Sequence, residues 1–267
     1  MAFAGANVRV FDIMRQTKVD IGATSKTLQP TGERVYLNTT SKMPGPIPAR
    51  WPVPSDPNAR VCVSIRPEPT AVISGSLDGA LKAWLRQAPS GPPSLLGLWH
   101  EASTMQYPIH PASLRGAQKH IQALVHSNGY NVRVGAIENA TISTAKSSTW
   151  MARNLDFYSC DIYDGKTCSS NPASQLDEFK ERCDALTDSG QATIGITETN
   201  SRCEGRRPFW FTAAWSWFKS HHLDTNNETC FLTFWNPLPA RIESGPWLAS
   251  DRATIDALDA IFHEAAA

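Results

Sequence analysis

The chain has 267 residues, of which 41% are hydrophobic and 19% are charged, and its 25 basic and 25 acidic residues give a formal net charge of zero. This composition is typical of a globular domain and does not favour nucleic acid or an anionic membrane as a partner. No apolar stretch approaches the roughly 20 residues that cross a bilayer, so we expect no membrane insertion. No low-complexity linker divides the chain, and we expect a single domain over residues 1–267 and a monomer.

Short apolar runs, rich in Val, Ile and aromatic residues, recur along the chain. They cover residues 8–13, 34–38, 60–67, 95–101, 132–138, 156–163, 192–198 and 230–236. Most of them lack strict alternation, which is typical of strands covered on both faces. A segment with six prolines, at residues 41–59, separates the second and third runs. Such a segment excludes a helix interior or a central strand and predicts a long surface loop.

Helical periodicity fills several of the intervals between these runs. It covers residues 76–88, 113–127, 174–190, 208–220 and 251–263. We expect Ser76 and Ser174 to begin the first and third of these helices, and Gly129 and Gly190 to end the second and third.

Strands that alternate with helices pair in parallel, so the order of elements predicts the α/β class. Eight units in a chain of this length indicate a (β/α)₈ TIM barrel whose early units are irregular, since the proline-rich loop replaces a helix. A doubly wound open sheet is the alternative. It is less favoured because no glycine-rich phosphate-binding motif follows any strand.

In a (β/α)₈ barrel the chemistry lies at the C-terminal ends of the strands. The residues found there are His100 and Glu101 on the fourth strand, Glu138 on the fifth, Asp161 and Tyr163 on the sixth, Glu198 on the seventh, and Trp235 and Asn236 on the eighth. A single Glu in such a position is more often a helix-terminal charge or an ion-pair partner. Two carboxyl groups at the same end of a barrel, Glu101 and Glu198, favour glycoside hydrolysis, which needs one protonated and one ionised carboxyl group.

Four segments resemble glycoside hydrolase family 26, the β-mannanases and their relatives within the retaining (β/α)₈-barrel clan. They are "LLGLWHEAS" (95–103), "NLDFYSCDIYDG" (154–165), "ATIGITETNS" (192–201) and "FLTFWN" (231–236), and the resemblance covers residues 60–240. It implies that Glu101 is the acid/base and Glu198 the nucleophile. It also implies that His100 contacts a sugar hydroxyl, that Tyr163 hydrogen-bonds Glu198, and that Trp235 lies under the sugar ring.

The sequence differs from the family pattern directly after the acid/base position. The family usually continues with Met-Asn after the acid/base, whereas Ala102 and Ser103 follow here. We expect Asp161, Glu138, Trp99 and Asn236 to be secondary contacts for the substrate.

We expect an oligo- or polysaccharide substrate, a mannan-type or related β-glycan, and neither a cofactor nor a metal ion. A non-catalytic carbohydrate-binding barrel, for example a cell-surface or viral tail component, is the alternative. Either function favours a secreted or surface location, although the first residues do not form a signal-peptide pattern as they stand.

The six cysteines leave disulfide formation open. Cys62 and Cys160 lie inside apolar runs and are expected to be buried thiols, whereas Cys168, Cys183, Cys203 and Cys230 lie nearer the ends of segments. An even number permits disulfides without requiring them at this chain length. No Cys-x-x-Cys spacing occurs, so we expect no structural zinc site.

Overall fold

The computed structural model describes residues 3–7, 32–37, 43–53, 60–104, 109–140, 149–164, 167–222, 231–235 and 252–266. The strands in these ranges are β1 (Phe3–Asn7), β2 (Gly32–Tyr36), β3 (Arg60–Ile65), β4 (Ser94–Leu98), β5 (Val132–Asn139), β6 (Phe157–Asp164), β7 (Ile194–Ser201) and β8 (Phe231–Trp235).

All the strand pairings are parallel, and each strand pairs with the next one along the chain. The six strands from β2 to β7 form a continuous curled sheet. β8 pairs with β7 at one position and with β1 from Phe3–Phe231 to Asn7–Trp235, which is the strand order of a closed barrel. The predicted α/β class with parallel strands is therefore confirmed.

Helices cover the outer face of the sheet. They are α1 (Pro69–Ile73), α2 (Asp78–Leu85), α3 (Pro111–Asn128), α4 (Pro172–Asp184), α5 (Arg207–His222) and α6 (Arg252–Ala266). Outward-facing residues of β3 and β4 pack against α2 and α3, and those of β6 and β7 pack against α4 and α5. Each large apolar side chain buried in these layers contributes about 1.5–3 kcal/mol. Within the described residues, no helix combines the length and the apolar character that crossing a membrane requires.

The predicted ends of the helices were partly wrong. α3 ends at Gly129 as predicted, with a left-handed φ of 65°. α4 begins earlier than Ser174, because the Asn171 side chain accepts from the Ala173 N–H and Pro172 takes the first helical position. It also ends at Asp184, before Gly190. The predicted cap Ser76 does not cap α2, since its hydroxyl donates to Ala71 O instead.

The strand boundaries also differ from the prediction at three places. The run at residues 8–13 lies outside the described ranges, and β1 comes before it, in a segment whose small residues give little apolar signal. β4 ends at Leu98, so His100 and Glu101 follow the strand instead of ending it. β7 continues to Ser201, which places Glu198 within the strand.

A small apolar cluster fills the interior of the sheet below these strand ends. It consists of Cys62, Leu95, Ile137 and Phe157. Gly135 makes room for it: a Cβ atom at this position would lie 2.5 Å from Phe157 O and 2.5 Å from the phenyl ring. Because a backbone oxygen is one of the two obstacles, the clash cannot be relieved by a change of rotamer.

Replacement of Gly135 by Ala should therefore destabilise the fold. We expect the free energy of unfolding to fall by about 1–3 kcal/mol, as in other overpacked interiors. Gly79→Ala is the matched control, because nothing lies within 4 Å of its added Cβ. Since alanine is the better helix former, this variant should be unchanged or up to about 1 kcal/mol more stable. Chemical denaturation measures both, and an equal effect of the two substitutions would contradict the packing argument.

Candidate active site

The chain leaves β4 through two residues with left-handed backbone. Trp99 and Glu101 both have a φ of 52°, on either side of His100. Residues other than glycine rarely adopt this conformation, which costs about 1–3 kcal/mol at each position. Two hydrogen bonds hold the turn: the Trp99 N–H donates to Ile65 O at 2.9 Å, and the Glu101 N–H donates to Ile137 O at 2.8 Å. Strain of this kind is concentrated at functional sites.

Glu101 is in an environment that favours its protonated form. Its Oε1 accepts a hydrogen bond from Asn139 Nδ2 at 2.7 Å. Burial raises the pKa of Glu101, and the Asn139 hydrogen bond and the charges of Arg66 and Arg34 lower it by less. A carboxyl group with a raised pKa can hold a proton near neutral pH, as a general acid must.

His100 is held as a neutral acceptor. The ring is 8% exposed, and its Nε2 lies 3.3 Å from Arg66 Nη2. Burial lowers the pKa of His100 well below its ordinary value, and the charges of Arg34 and Arg66 lower it further. Because a guanidinium can only donate, Nε2 is the acceptor and the proton lies on Nδ1. The edge of the ring meets Tyr36, with 4.8 Å between the centroids.

A bulge in the pairing of β6 and β7 determines where Glu198 lies. Cys160 pairs with Ile196, but the next residue, Asp161, pairs with Glu198. Thr197 is therefore an extra residue on β7. One extra residue reverses which side chains face each side of a sheet, so Glu198 faces the same side as Asp161.

Tyr163 and Glu198 form a hydrogen bond, which is the contact that the resemblance implied. The Tyr163 hydroxyl donates to Glu198 Oε2. Burial raises the pKa of Tyr163 well above its ordinary value, and the negative charges of Asp161 and Glu101 raise it further. The phenol therefore remains protonated, and a donor directed at a carboxylate stabilises its ionised form.

Glu101 and Glu198 are the two ends of a row of polar side chains across adjacent strands. Asn139 on β5 pairs with Asp161 on β6, and Asp161 pairs with Glu198 on β7. Glu101, which follows β4, joins the row through its hydrogen bond to Asn139. The fold thus brings two carboxyl groups, separated by almost a hundred residues, to the same end of the sheet.

Asp161 lies between the two within this row and is completely buried. Neither of its carboxyl oxygens has a hydrogen bond of normal geometry to the described residues. Burial raises the pKa of Asp161 well above its ordinary value, the charge of Glu101 raises it further, and the nearby Thr197 hydroxyl lowers it. Asp161 is therefore a neutral acid. Its neighbour Ile162 points to the outer core, which settles the direction of both side chains.

Glu138 does not belong to the row, although it was predicted as a substrate contact. Residues of β5 alternate, and Asn139 takes the position facing Glu101. Glu138 instead accepts hydrogen bonds from the Ser103 N–H at 3.3 Å and the Ser103 hydroxyl at 2.7 Å. Burial raises the pKa of Glu138 to about 8.

The predicted aromatic contacts have different placements. Trp99 is completely buried in the outer core, and its indole N–H donates to Pro67 O at 2.7 Å, so the structure does not place it as a wall of the site. Trp235 ends β8, where its backbone pairs with Asn7. Asn236 lies outside the described residues.

Three polar residues of the site were missed from the sequence. Arg34 on β2 is completely buried, and its Nη2 donates to Ser64 Oγ at 2.6 Å. Arg66 follows β3, and Asn139 ends β5. A signal was available for Arg34 and Arg66, because each is a cation inside a predicted apolar strand. Among the described residues, no group of three or more His, Cys, Asp or Glu side chains could hold a metal ion.

A disulfide connects the loops that follow β6 and β7. Cys168 and Cys203 are bonded, with 5.9 Å between their Cα atoms. In the same region Asp164 accepts from the Ser201 hydroxyl at 3.1 Å and lies 3.6 Å from the Arg206 Nε. Cys62 and Cys160 are buried free thiols, as predicted, and Cys183 is a third. Cys230 lies outside the described residues.

The fold is shared with barrel enzymes that act on glycosides, whereas no protein-family model and no curated protein matches the sequence. A family 39 glycoside hydrolase from Bacteroides cellulosilyticus is 10% identical, with a TM-score of 0.58 over 97% of this chain and 62% of that one. A family 5 broad-specificity endoglucanase from Clostridium acetobutylicum is 11% identical, with a TM-score of 0.51 over 97% of this chain and 96% of that one.

Family 26 is also represented among the solved structures. The catalytic domain of an endo-β-1,4-mannanase from a Bacillus species is 12% identical, with a TM-score of 0.48 over 78% of this chain and 66% of that one. The chain thus spans just under two thirds of the length of the mannanase and of the family 39 enzyme. The TM-scores above 0.5 show a fold shared with the family 39 and family 5 enzymes, and identities this low do not distinguish family 26 from families 5 and 39.

Loss of the disulfide should destabilise the protein. The bond closes a loop between residues 35 positions apart, and removing such a constraint costs about 3–4 kcal/mol in the chain-entropy account. We expect Cys168→Ser with Cys203→Ser to unfold at a correspondingly lower denaturant concentration. A thiol reductant should lower the stability of the wild type to the level of the double variant and leave the variant unchanged. Equal stability of oxidised and reduced wild type would contradict this.

Proposed function

We propose that the chain is a complete (β/α)₈ barrel and a retaining glycoside hydrolase that cleaves β-glycosidic bonds in a polysaccharide. The observation that carries the proposal is the difference between the two ends of the polar row. Glu101 is partly buried with a raised pKa, whereas Glu198 accepts a hydrogen bond from a phenol that stays protonated. Glycoside hydrolysis needs such a pair: one carboxyl group that gives a proton and one that is ionised.

In the first step Glu101 gives its proton to the glycosidic oxygen while the Glu198 carboxylate attacks the anomeric carbon. The bond to the leaving sugar breaks and a covalent glycosyl-enzyme forms. In the second step Glu101, now ionised, takes a proton from water, and the water oxygen attacks the anomeric carbon. The bond to Glu198 breaks, the sugar is released, and both carboxyl groups return to their initial states.

The strand geometry supports a short distance between the two groups. Neighbouring strands lie about 4.8 Å apart, so positions three strands apart around an eight-stranded barrel are on the order of 13 Å apart at the backbone. Two glutamate side chains that extend toward each other take up much of that span. For a retaining enzyme we expect about 5–5.5 Å between the carboxyl groups.

The substrate class is a β-glycan. The neighbouring structures include a broad-specificity endoglucanase, which supports a β-glycan for this chain as well, and the resemblance of the four segments to family 26 favours a mannan-type or related β-glycan. The disulfide supports a secreted or surface location, since such bonds persist in oxidising compartments. His100 would contact a sugar hydroxyl, and Trp235 would lie under the sugar ring.

Glu198→Ala should abolish release of reducing sugar. We expect a loss of about 10⁴-fold or more in kcat, measured on the substrate that a polysaccharide panel selects for the wild type. Added azide should restore part of the turnover, because it can occupy the vacated place and attack the anomeric carbon. Glu178→Ala, on the exposed face of α4, is the control and should retain wild-type activity. If neither wild type nor Glu198→Ala cleaves any glycan while both bind the same sugar equally well, the non-catalytic carbohydrate-binding function is correct.

Asn139→Ala should move the alkaline limb of the pH–activity profile to higher pH. The Asn139 side chain donates to the Glu101 carboxyl and lowers its pKa, so its removal raises that pKa. The first step needs protonated Glu101, and activity is lost as pH rises through the pKa of that group. Asn131→Ala is the control, because the Asn131 side chain binds Pro89 O and Gly91 O before β5 begins. A shift to lower pH, or an equal shift in both variants, would contradict the assignment.

A further inference from the structure

The turn that follows Glu101 is attached to β5 through a single side chain. Residues Ala102–Thr104 form one turn of 3₁₀ helix. Both the N–H and the hydroxyl of Ser103 in this turn donate to Glu138 Oε2, at 3.3 Å and 2.7 Å. Glu138 is 2% exposed, and therefore this contact is shielded from water. Ser103 lies two residues after Glu101 in the sequence. Glu138 comes directly before Asn139, whose side chain donates to the Glu101 carboxyl.

The turn needs such an attachment because its backbone is strained. Glu101 has a left-handed φ of 52°, as does Trp99 two residues earlier. A strained conformation persists only when its surroundings fix it more than once. The hydrogen bond from the Glu101 N–H to Ile137 O fixes the entrance of the turn, and the Ser103–Glu138 contact fixes its exit.

We propose that Glu138 is a positioning residue for the proton donor, acting through Ser103 to keep Glu101 in its left-handed conformation and directed at Asn139. The proposal rests on the proposed function, since it assigns a role in the same site.

A neutral carboxyl group suits this role. Both Ser103 donors converge on Oε2, and an oxygen that carries no proton has two lone pairs to accept them while Oε1 holds the proton. The pKa of Glu138, raised to about 8 by burial, keeps that proton in place at neutral pH. Among the described residues, Glu138 interacts electrostatically with the carboxyl groups of Glu101 and Asp161. An ionised Glu138 would add a negative charge beside both.

The test compares Glu138→Ala with Glu138→Gln. The amide oxygen of Gln can accept both Ser103 donors, so we expect kcat within about 3-fold of the wild type. Ala removes the acceptor, and we expect kcat to fall about 10–100-fold with KM nearly unchanged, since misplacing the proton donor affects the transition state more than binding. Ser103→Ala, which removes only the 2.7 Å hydrogen bond, should have a smaller effect in the same direction, and it replaces Glu138→Ala if that variant does not fold.

Asp156→Ala is the matched control. Asp156 is a partly buried residue whose carboxyl group, like that of Glu138, accepts a backbone N–H, in this case the Val134 N–H at 2.7 Å, but it lies at the opposite end of β5. We expect this substitution to lower stability and to leave kcat per folded molecule unchanged. The same kcat per folded molecule in Glu138→Ala and Asp156→Ala would overturn the proposal.

A second measurement is independent of turnover. A ¹³C NMR titration of the side-chain carboxyls, with the Glu101 signal assigned through Glu101→Gln, reports the pKa of Glu101. Release of the turn exposes Glu101 to water and weakens its hydrogen bond to Asn139. Because burial affects the pKa of Glu101 more than that hydrogen bond does, Glu138→Ala should lower this pKa toward its ordinary value, while Glu138→Gln and Asp156→Ala should not. If the wild type cleaves no glycan but the pKa of Glu101 falls in Glu138→Ala as expected, the proposed function is wrong and the positioning role of Glu138 is supported. If the wild type is active and Glu138→Ala changes neither kcat nor the titration, the positioning role is wrong.

Discussion

The site depends on the burial of several carboxyl groups at one end of a parallel sheet. Glu138, Asp161 and Glu198 are buried there and Glu101 is partly buried, and a carboxylate that leaves water must be paired or protonated. Arg34 and Arg66 are the buried cations described near them, so full ionisation would leave excess negative charge in a poorly hydrated space. Neutral forms of Glu138 and Asp161 reduce that charge. The two carboxyl groups at the ends of the row, those of Glu101 and Glu198, can then differ in protonation state.

The parallel sheet and one bulge bring residues that are distant in the sequence together in one site. Regular alternation from Cys160–Ile196 onward would have paired Asp161 with Thr197, and Glu198 would have faced the outer core. The bulge changes this by inserting Thr197 as one extra residue on β7. The turn after β4 has an equivalent role for Glu101, since two left-handed residues redirect the chain across the ends of β3 and β5. Both catalytic candidates are therefore placed by irregularities in otherwise regular strands.

Much of the fold could be predicted from the sequence because the outer layers are strongly apolar. The strands from β3 to β5 are buried on both faces and stand out as runs rich in Val, Ile and Leu, the start of β6 is marked by aromatic residues, and α3 has a clear apolar stripe. Helix starts were harder to predict, since Asn171 before Pro172 was a better cap than Ser174 inside the helical pattern.

The finer arrangement of the site could not be predicted, because it depends on side-chain direction. Glu138 and Asn139 are adjacent in the sequence, and Glu138 was the predicted contact because carboxyl groups are common in catalytic sites. The register of β5, set by Gly135 and Ile137 within it, gives Asn139 the position that faces Glu101 and directs Glu138 to Ser103. A bulge gives no signal in composition either, so the sequence placed Glu198 at the end of a strand that continues to Ser201.

The bond between Cys168 and Cys203 has a consequence for limited proteolysis. The loop between α4 and β7 exposes Asp188, Ser189 and Gly190. All three residues lie between Cys168 and Cys203 in the sequence. A protease that cuts there once produces two fragments that remain covalently joined, and β6 and β7 stay attached at the ends that carry Tyr163 and Glu198. A nicked chain would thus migrate as intact protein until a thiol reductant reduces the Cys168–Cys203 disulfide.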